Sequence, residues 1–277
     1  MQISFKHQNV EYRCSVAEAK SLAIVLDFEG LQPNHFGTEK ASNEVLKLGG
    51  FTGDTRVGGS CNVDSLEMIP HCNGTHTETV GHIVNEDIWV GHAALDVLSL
   101  AFLVTVEPVL AKDTADTYRP KLEPENWVIT REMLEKAIAK VGMIQNVKPA
   151  ALIVRTLPNS NDKCARAYST ESQPPFFTVE ACQLINETGV RHLLVDFPSV
   201  DRMNDDGLLT NHHIFWNVEE RTHELSAGTW QEKTITEMIF VADEINNGIC
   251  GLNLQVPAFG SDAAPSRPVV FPARAVS

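Results

Sequence analysis

Apolar residues along the chain fall into short, dense runs separated by polar, turn-rich stretches. Ala150 to Leu157 is almost uninterrupted apolar sequence, the pattern of a central strand covered on both faces. Val190 to Phe197 reads as a second buried strand. Between them, Thr178 is placed to cap a helix running to Thr188, with Ala181, Leu184 and Ile185 facing inward and Gly189 ending it. Strand, helix, strand at this spacing predicts a βαβ unit. Upstream, Thr130 opens a helix over Arg131 to Val141. Its apolar stripe is Leu134, Ile138 and Val141, Glu132 and Lys136 pair along its surface, and Gly142 stops it. Leu98 to Val109 reads as a buried strand or strand pair.

Further strands are predicted at Met1 to Phe5, Ser21 to Phe28, Ser60 to Ile69, Thr234 to Val241 and Gly251 to Phe259, and Ala264 to Phe271 closes the pattern. Gly30 to Gly50 reads as a long surface loop, Phe51 to Gly59 as more loop, and Pro158 to Pro175 as a polar connection. A polar loop, Pro198 to Asn211, leads to His212-His213-Ile214-Phe215-Trp216. On a strand those adjacent histidines would point opposite ways. Many strands with few helices predict one mixed α/β domain over residues 1–277, with a polar insertion at 217–233.

Composition narrows the class without naming a substrate. The chain has 277 residues, 43% hydrophobic and 21% charged, enough for a substantial core. Its formal net charge of −14 argues against nucleic acid and anionic membrane surfaces as partners. No apolar run approaches the roughly 20 residues of a membrane span, and the first residues lack a signal-peptide pattern. Cysteines at 14, 61, 72, 164, 182 and 250 are scattered without a CxxC pair, so free thiols in a reducing cytoplasm are expected.

The chemistry concentrates in Pro70 to His82. Within twelve residues from His71 lie three histidines, one cysteine and one glutamate, the side chains that bind borderline transition metals. His76 and Glu78 are two apart, so an extended segment projects them to one side, and His82 shares that parity. Gly74 and Gly81 punctuate a run read as non-helical.

Gly74-Thr75-His76-x-Glu78-x-x-x-His82 resembles the signature of the metal-dependent cyclase and bacterial kynurenine formamidase family. The resemblance continues in Asp196-Phe-Pro-Ser-Val-Asp201, in His212 with its apolar run, in Glu237 and in Asp262-Ala-Ala-Pro-Ser-Arg267. It implies a swivelling β/β/α fold of mixed sheets with few helices. It also implies a hydrolase holding one or two divalent ions, Zn2+ or Mn2+, on His71, His76, Glu78, His212 and Glu237. Glu78 would orient or deprotonate water, and His82 would protonate the departing nitrogen. The implied substrate is a small amide, foremost the arylformamide N-formylkynurenine of tryptophan catabolism, yielding an arylamine and formate. A homodimer or homotetramer is implied as well. The alternatives are hydrolysis of another amide, lactam or ester, and a non-catalytic metal-binding protein on the same fold.

This sequence departs from the family pattern at four places. Glu78 stands where aspartate is usual, and Val80 where proline is usual. One extra residue precedes Gly-Thr-His, so His71 and Cys72 compete for the first ligand position. Imidazole suits a carboxylate-rich site better, which favours His71. The stretch from His212 to Glu237 is longer than usual, and the family's pattern of a histidine followed by a short apolar run implies His212 rather than His213 as the ligand. Trp89, Trp127 and Trp216 are candidate walls of an aromatic pocket, and Glu219, Glu220, His223 and Glu224 read as solvated.

Overall fold

The computed structural model describes residues 1–93, 96–142 and 147–276. Ten of the eleven strands of the main sheet form one continuous path: β1 Gln2–His7, β2 Val10–Ser15, β3 His76–Glu78, β4 Ser99–Val106, β5 Ala151–Thr156, β6 His192–Val195, β7 Thr234–Glu237, β8 Gly248–Asn253, β9 Ala263–Pro265 and β10 Val269–Ala275. Their spatial order is β1-β2-β10-β8-β4-β5-β6-β7-β3-β9, with the short Lys20–Ser21 strand pairing β10. The central four, β4 to β7, run parallel, and antiparallel strands flank them on both sides. Four α-helices accompany the sheet among the described residues: α1 Pro70–Asn73, α2 Arg131–Gly142, α3 Val179–Thr188 and α4 Thr210–Trp216. This mixed α/β architecture with few helices is the fold class expected from the sequence.

The continuous apolar runs exist because the parallel strands are covered on both faces. All six residues of β5 are buried. Leu152 and Val154 pack with Phe102, Val104, Leu193 and Val195 against Leu134, Ala181, Ile185 and Trp216 on α2, α3 and α4. Ala151 and Ile153 face the opposite way, with Ala101, Leu103, Leu194 and Leu252. The strand period of two divides one apolar run between two cores.

The βαβ prediction holds, since β5 and β6 pair in parallel with α3 between them in sequence. The Thr178 hydroxyl accepts from the Ala181 amide at 3.2 Å and also bonds Asp116 Oδ2 at 2.8 Å, while Gly189 ends α3 with φ of 80°. Thr178→Ala is expected to cost about 1–2 kcal/mol of stability, read as a lowered urea midpoint with unchanged slope.

Several boundaries differ from expectation. Ser21 to Phe28 is not a strand beyond Ser21 and an isolated Ala23–Ile239 bridge. There the Ile24 amide donates to the Thr75 hydroxyl, Val25 is exposed, and Asp27 organises a turn. The loop expected at 30–59 contains Ser42–Val45, Lys47–Leu48 and Phe51–Thr52 strands, and only Asp64–Glu67 of Ser60 to Ile69 is strand. The strand expected at Thr234 to Val241 stops at Glu237, where Met238 takes a φ of 51°. The one expected at 251–259 runs instead over Gly248–Asn253.

His192 on β6 is buried, its Nδ1 2.9 Å from the Thr234 hydroxyl, and burial, then Arg191, push its pKa down to about 4. The unfolded chain takes up a proton near pH 6.5 that the folded chain refuses. Stability from this group is therefore complete above pH 6.5 and falls as pH drops toward 4, by up to about 3 kcal/mol. Unfolding at pH 7 and pH 5 should show that His192→Leu has a shallower acid dependence than the parent.

Candidate metal centre

One face of β3 builds the centre. His76 and Glu78 share that face, while Thr77 between them turns the other way and bonds the Thr236 and Ser266 hydroxyls. Antiparallel pairing on both sides fixes what faces them. Glu237 of β7 stands opposite His76, and Ala263, the residue after Asp262, stands opposite Glu78. His71 arrives from α1, His82 from a 3-10 turn over Val80–His82, and His212 from α4. The run expected to be non-helical thus contains a helical turn, opened by Pro70 at its first position, where a missing amide costs nothing. Gly81 is needed in the following turn, because a Cβ there would meet the Ile88 carbonyl oxygen, whereas one at Gly74 would make only an ordinary contact with Leu26.

The six predicted residues His71, His76, Glu78, His82, His212 and Glu237 come together. His212 Nε2 lies 3.0 Å from Glu78 Oε1 and 4.0 Å from Glu237 Oε1. His71 Nε2 lies 3.4 Å from Glu78 Oε2 and 3.0 Å from Asp262 Oδ2. His76 Nε2 is 3.5 Å from Glu237 Oε2, and His82 Nε2 is 3.9 Å from Glu78 Oε2. Glu237 Oε1 also accepts from the Val200 amide at 2.8 Å. The rings of His71 and His82 stack with centroids 4.4 Å apart.

Two residues outside the predicted set belong here. Asp262 accepts from His82 Nδ1 at 3.2 Å and faces His71, and its signal was the Asp-Ala-Ala-Pro-Ser-Arg stretch. Asp201 holds His212 through Nδ1 at 2.5 Å and takes the Tyr118 hydroxyl at 2.6 Å. Cys72 shares α1 with His71, but the candidate ligand groups among the described residues include His71 and not Cys72, and burial pushes the Cys72 thiol up. His212 and His213 follow one another on helix α4, not on a strand, so about 100° of helical rotation separates them. His213 faces a separate cavity beside Thr210 and Trp230.

Electrostatics couple the cluster. Burial opposes the Glu78 charge, yet His82, His212 and His71 hold its pKa well below the carboxylate range. Burial likewise opposes a charged His71, but Asp262 and Glu78 raise it to about 10. His212, fully buried between Glu78 and Asp201, is raised well above an ordinary histidine, and His71 with His82 lower Asp262.

The donor set suits a divalent ion. His76 Nε2 and Glu78 Oε2 are buried without a hydrogen-bond partner, and His71 Nε2, though 3.0 Å from Asp262, makes no hydrogen bond of good geometry, a state that costs free energy unless a cation takes up their lone pairs. Three overlapping groups, His76–Glu78–Glu237, Glu78–His82–His212 and His71–His82–Asp262, each offer ligand atoms within 4.8 Å of one another. Mixed imidazole and carboxylate donors suit borderline to hard divalent ions.

The family described as "Putative cyclase" matches residues 15–202, more than half of the chain. The chain belongs to this family. Solved structures similar to this cyclase-family chain carry the same fold. An isatin hydrolase bound to the product analogue thioisatinate matches with a TM-score of 0.62 at 12% identity, covering 93% of this chain and 93% of that one. A predicted metal-dependent hydrolase from Bacillus stearothermophilus matches at 0.55 and 13% identity, covering 91% and 97%. Isatin hydrolase A from Labrenzia aggregata, bound to benzyl benzoate, matches at 0.54 and 15%, covering 91% and 93%. A search of curated proteins returns no match. No helix among the described residues is long and apolar enough to cross a membrane.

Proposed function

We propose that this chain is a metal-dependent hydrolase of a small amide, with an arylformamide such as N-formylkynurenine as its first candidate substrate. The observation that carries this reading is the convergence of three buried donor atoms, on His71, His76 and Glu78, none of which makes a hydrogen bond of good geometry, beneath the half-buried rim formed by His82 and Asp262.

His71, His76, Glu78, His212 and Glu237 would hold one or two ions, Zn2+ or Mn2+. When bound, such an ion acidifies water and polarises the scissile carbonyl. Glu78 Oε2 takes the proton from the attacking water. His82 Nε2, 3.9 Å from that oxygen, passes a proton to the departing nitrogen, while Asp262 anchors Nδ1 at 3.2 Å and sets the ring's tautomer. Water adds to the carbonyl carbon, the C–N bond breaks, and a formamide yields an arylamine plus formate. His212 stays buried, so its role is to hold rather than to shuttle.

A second reading, lactam hydrolysis, is favoured by the likeness to isatin hydrolases, whose substrate is a cyclic amide. The segment 217–233, read as an insertion in a single domain, reaches the rim: His223 Nδ1 bonds the Ile83 carbonyl, and the Asn85 amide donates to the His223 carbonyl. It would shape substrate access in either reading. A homodimer or homotetramer fits too, because Val25, Leu31, Phe36, Leu48, Val57 and Leu66, all within residues 25–66, leave large apolar side chains exposed. Trp216 is fully buried 5.5 Å from His212, while Trp89 and Trp127 are partly exposed.

The test joins metal analysis of the purified protein to assays with N-formylkynurenine and isatin, each followed by release of the aromatic amine. Turnover of the formamide supports the first reading, and turnover of isatin alone supports the second. Bound metal with neither activity leaves the non-catalytic metal-binding alternative. Protein that neither contains nor takes up a divalent ion overturns all of them.

A further inference from the structure

The carboxyl ends of the four parallel strands lie side by side. Glu237 ends β7 in the metal centre. The ends of the other three open into a different cavity of about 260 Å³, lined from β4 by Glu107 and Pro108, from β5 by Thr156 to Pro158, and from β6 by Asp196 and Phe197. The carboxyl edge of a parallel sheet is where open α/β folds place their ligands, because the strand ends expose backbone groups and the connecting loops supply side chains. This volume lies just below the usual range for drug-sized ligands of roughly 300–1,000 Å³, so it suits a molecule with one ring system.

The lining specifies more than size. At the floor, Lys163 Nζ pairs with Asp196 Oδ2 at 2.7 Å, and both are buried. Asp196 also accepts from the Thr156 amide and hydroxyl, and Lys163 donates to the Thr156 carbonyl. That pair is satisfied internally and offers a ligand no free charge. Two charged side chains remain on the lining, Arg166 and Glu107, and neither makes an ion pair among the described residues. One is a cation and the other an anion. The rest of the lining is mostly apolar, apart from Gln173: Tyr168, carrying the Arg166 guanidinium 5.9 Å from its ring centroid, Trp127, half-exposed, and Leu157, Pro158 and Pro175.

We propose that this cavity binds a small zwitterion with a planar apolar side chain, in the class of free aromatic amino acids, at a site beside the metal centre and distinct from it. Arg166 takes the carboxylate, Glu107 takes the ammonium group, and the ring lies against Tyr168 and Trp127. A simple arylalkyl acid leaves Glu107 facing an anion, and a simple arylalkylamine leaves Arg166 facing a cation, so each binds more weakly than the zwitterion. The proposal does not depend on the hydrolase reading, since it concerns different residues and no reaction.

The experiment is calorimetric titration of the purified holoprotein with L-phenylalanine. The comparison ligands are 3-phenylpropionate, phenethylamine and L-alanine, which lack the ammonium group, the carboxylate and the ring. Phenylalanine should bind, and each comparison ligand should bind about tenfold or more weakly, the loss expected when one charge-assisted hydrogen-bond set or the ring contact is removed. Arg166→Met and Glu107→Gln should each weaken phenylalanine by a similar factor while circular dichroism and metal content stay unchanged. Glu237→Gln, which alters the metal centre, should leave phenylalanine binding intact. Absence of phenylalanine binding overturns the proposal, as does equal affinity for a ligand lacking one charge. Binding lost in Glu237→Gln but kept in Arg166→Met overturns it too, because the amino acid would then be sitting at the metal.

Discussion

Glu78→Gln is expected to strip the protein of its metal and lower turnover of an amide substrate by about 10²–10⁴-fold. Among the described residues no other side chain meets as many histidines of the centre: one carboxylate oxygen faces His212 at 3.0 Å, and the other faces His71 at 3.4 Å and His82 at 3.9 Å. Glutamine keeps the volume and one acceptor oxygen but brings an NH2 group toward imidazole nitrogens and removes the charge that a cation needs. Glu78→Asp separates charge from length. Aspartate is usual at this place in the family pattern that the sequence resembles, so it should keep metal while turnover falls less than in Glu78→Gln. Metal content by mass spectrometry and initial rates of amine release check both. Full metal and full rate in Glu78→Gln would remove Glu78 from the proposed mechanism.

Asp201→Asn should cause the second large loss, although Asp201 offers no atom to the candidate ligand groups. Its Oδ1 accepts from the Tyr118 hydroxyl and the Asn211 amide, each at 2.6 Å, and its Oδ2 accepts from His212 Nδ1 at 2.5 Å and the His212 amide at 3.2 Å. Burial opposes its charge, but His212 and these hydrogen bonds hold its pKa below the usual carboxylate range. The two amides belong to the first turn of α4, where Leu209 at the cap position supplies no side-chain bond. Asp201 therefore caps the helix from outside it, satisfying amides that a helix start leaves open. Asparagine can present an acceptor to only one side of this four-donor ring. The expected results are a metal affinity reduced about 10–100-fold, as for other groups that orient a ligand histidine, and roughly 3–5 kcal/mol less stability from the broken buried pair. Competition with a fluorescent zinc chelator reads the first and urea unfolding the second. Unchanged metal affinity would show that His212 holds its place without Asp201.

The same contact explains what the sequence did and did not reveal. β5, β6, α2 and α3 were legible because local signals agree with the packing: continuous apolar runs, 3.6-residue stripes, a threonine cap and a terminal glycine. α4 was not legible, since its cap comes from Asp201, outside the helix, and Thr-Asn-His-His-Ile-Phe-Trp contains no strong helix former. Ser21 to Phe28 misled in the other direction. It has strand-like composition, but the Thr75 hydroxyl and the Asp27 turn take amides that a ladder would need. In the centre itself, the spacing of His76 and Glu78 told which side they share, because strand parity is a local property. Asp262 carried a sequence signal through its family-like ending, but its place beside His71 and His82 follows from the pairing of β9 with β3, which no local pattern encodes.

That pairing also orders events in time. β3 lies between β7 and β9, strands separated from it by well over a hundred residues of chain. Such distant closure is slow relative to forming helices or neighbouring parallel strands. During synthesis His71 to Glu78 leave the ribosome before either of the strands that flank β3. They wait while the rest of the sheet is made. The full donor set can assemble only after residues 234–237 and 263–265 have emerged and docked on either side.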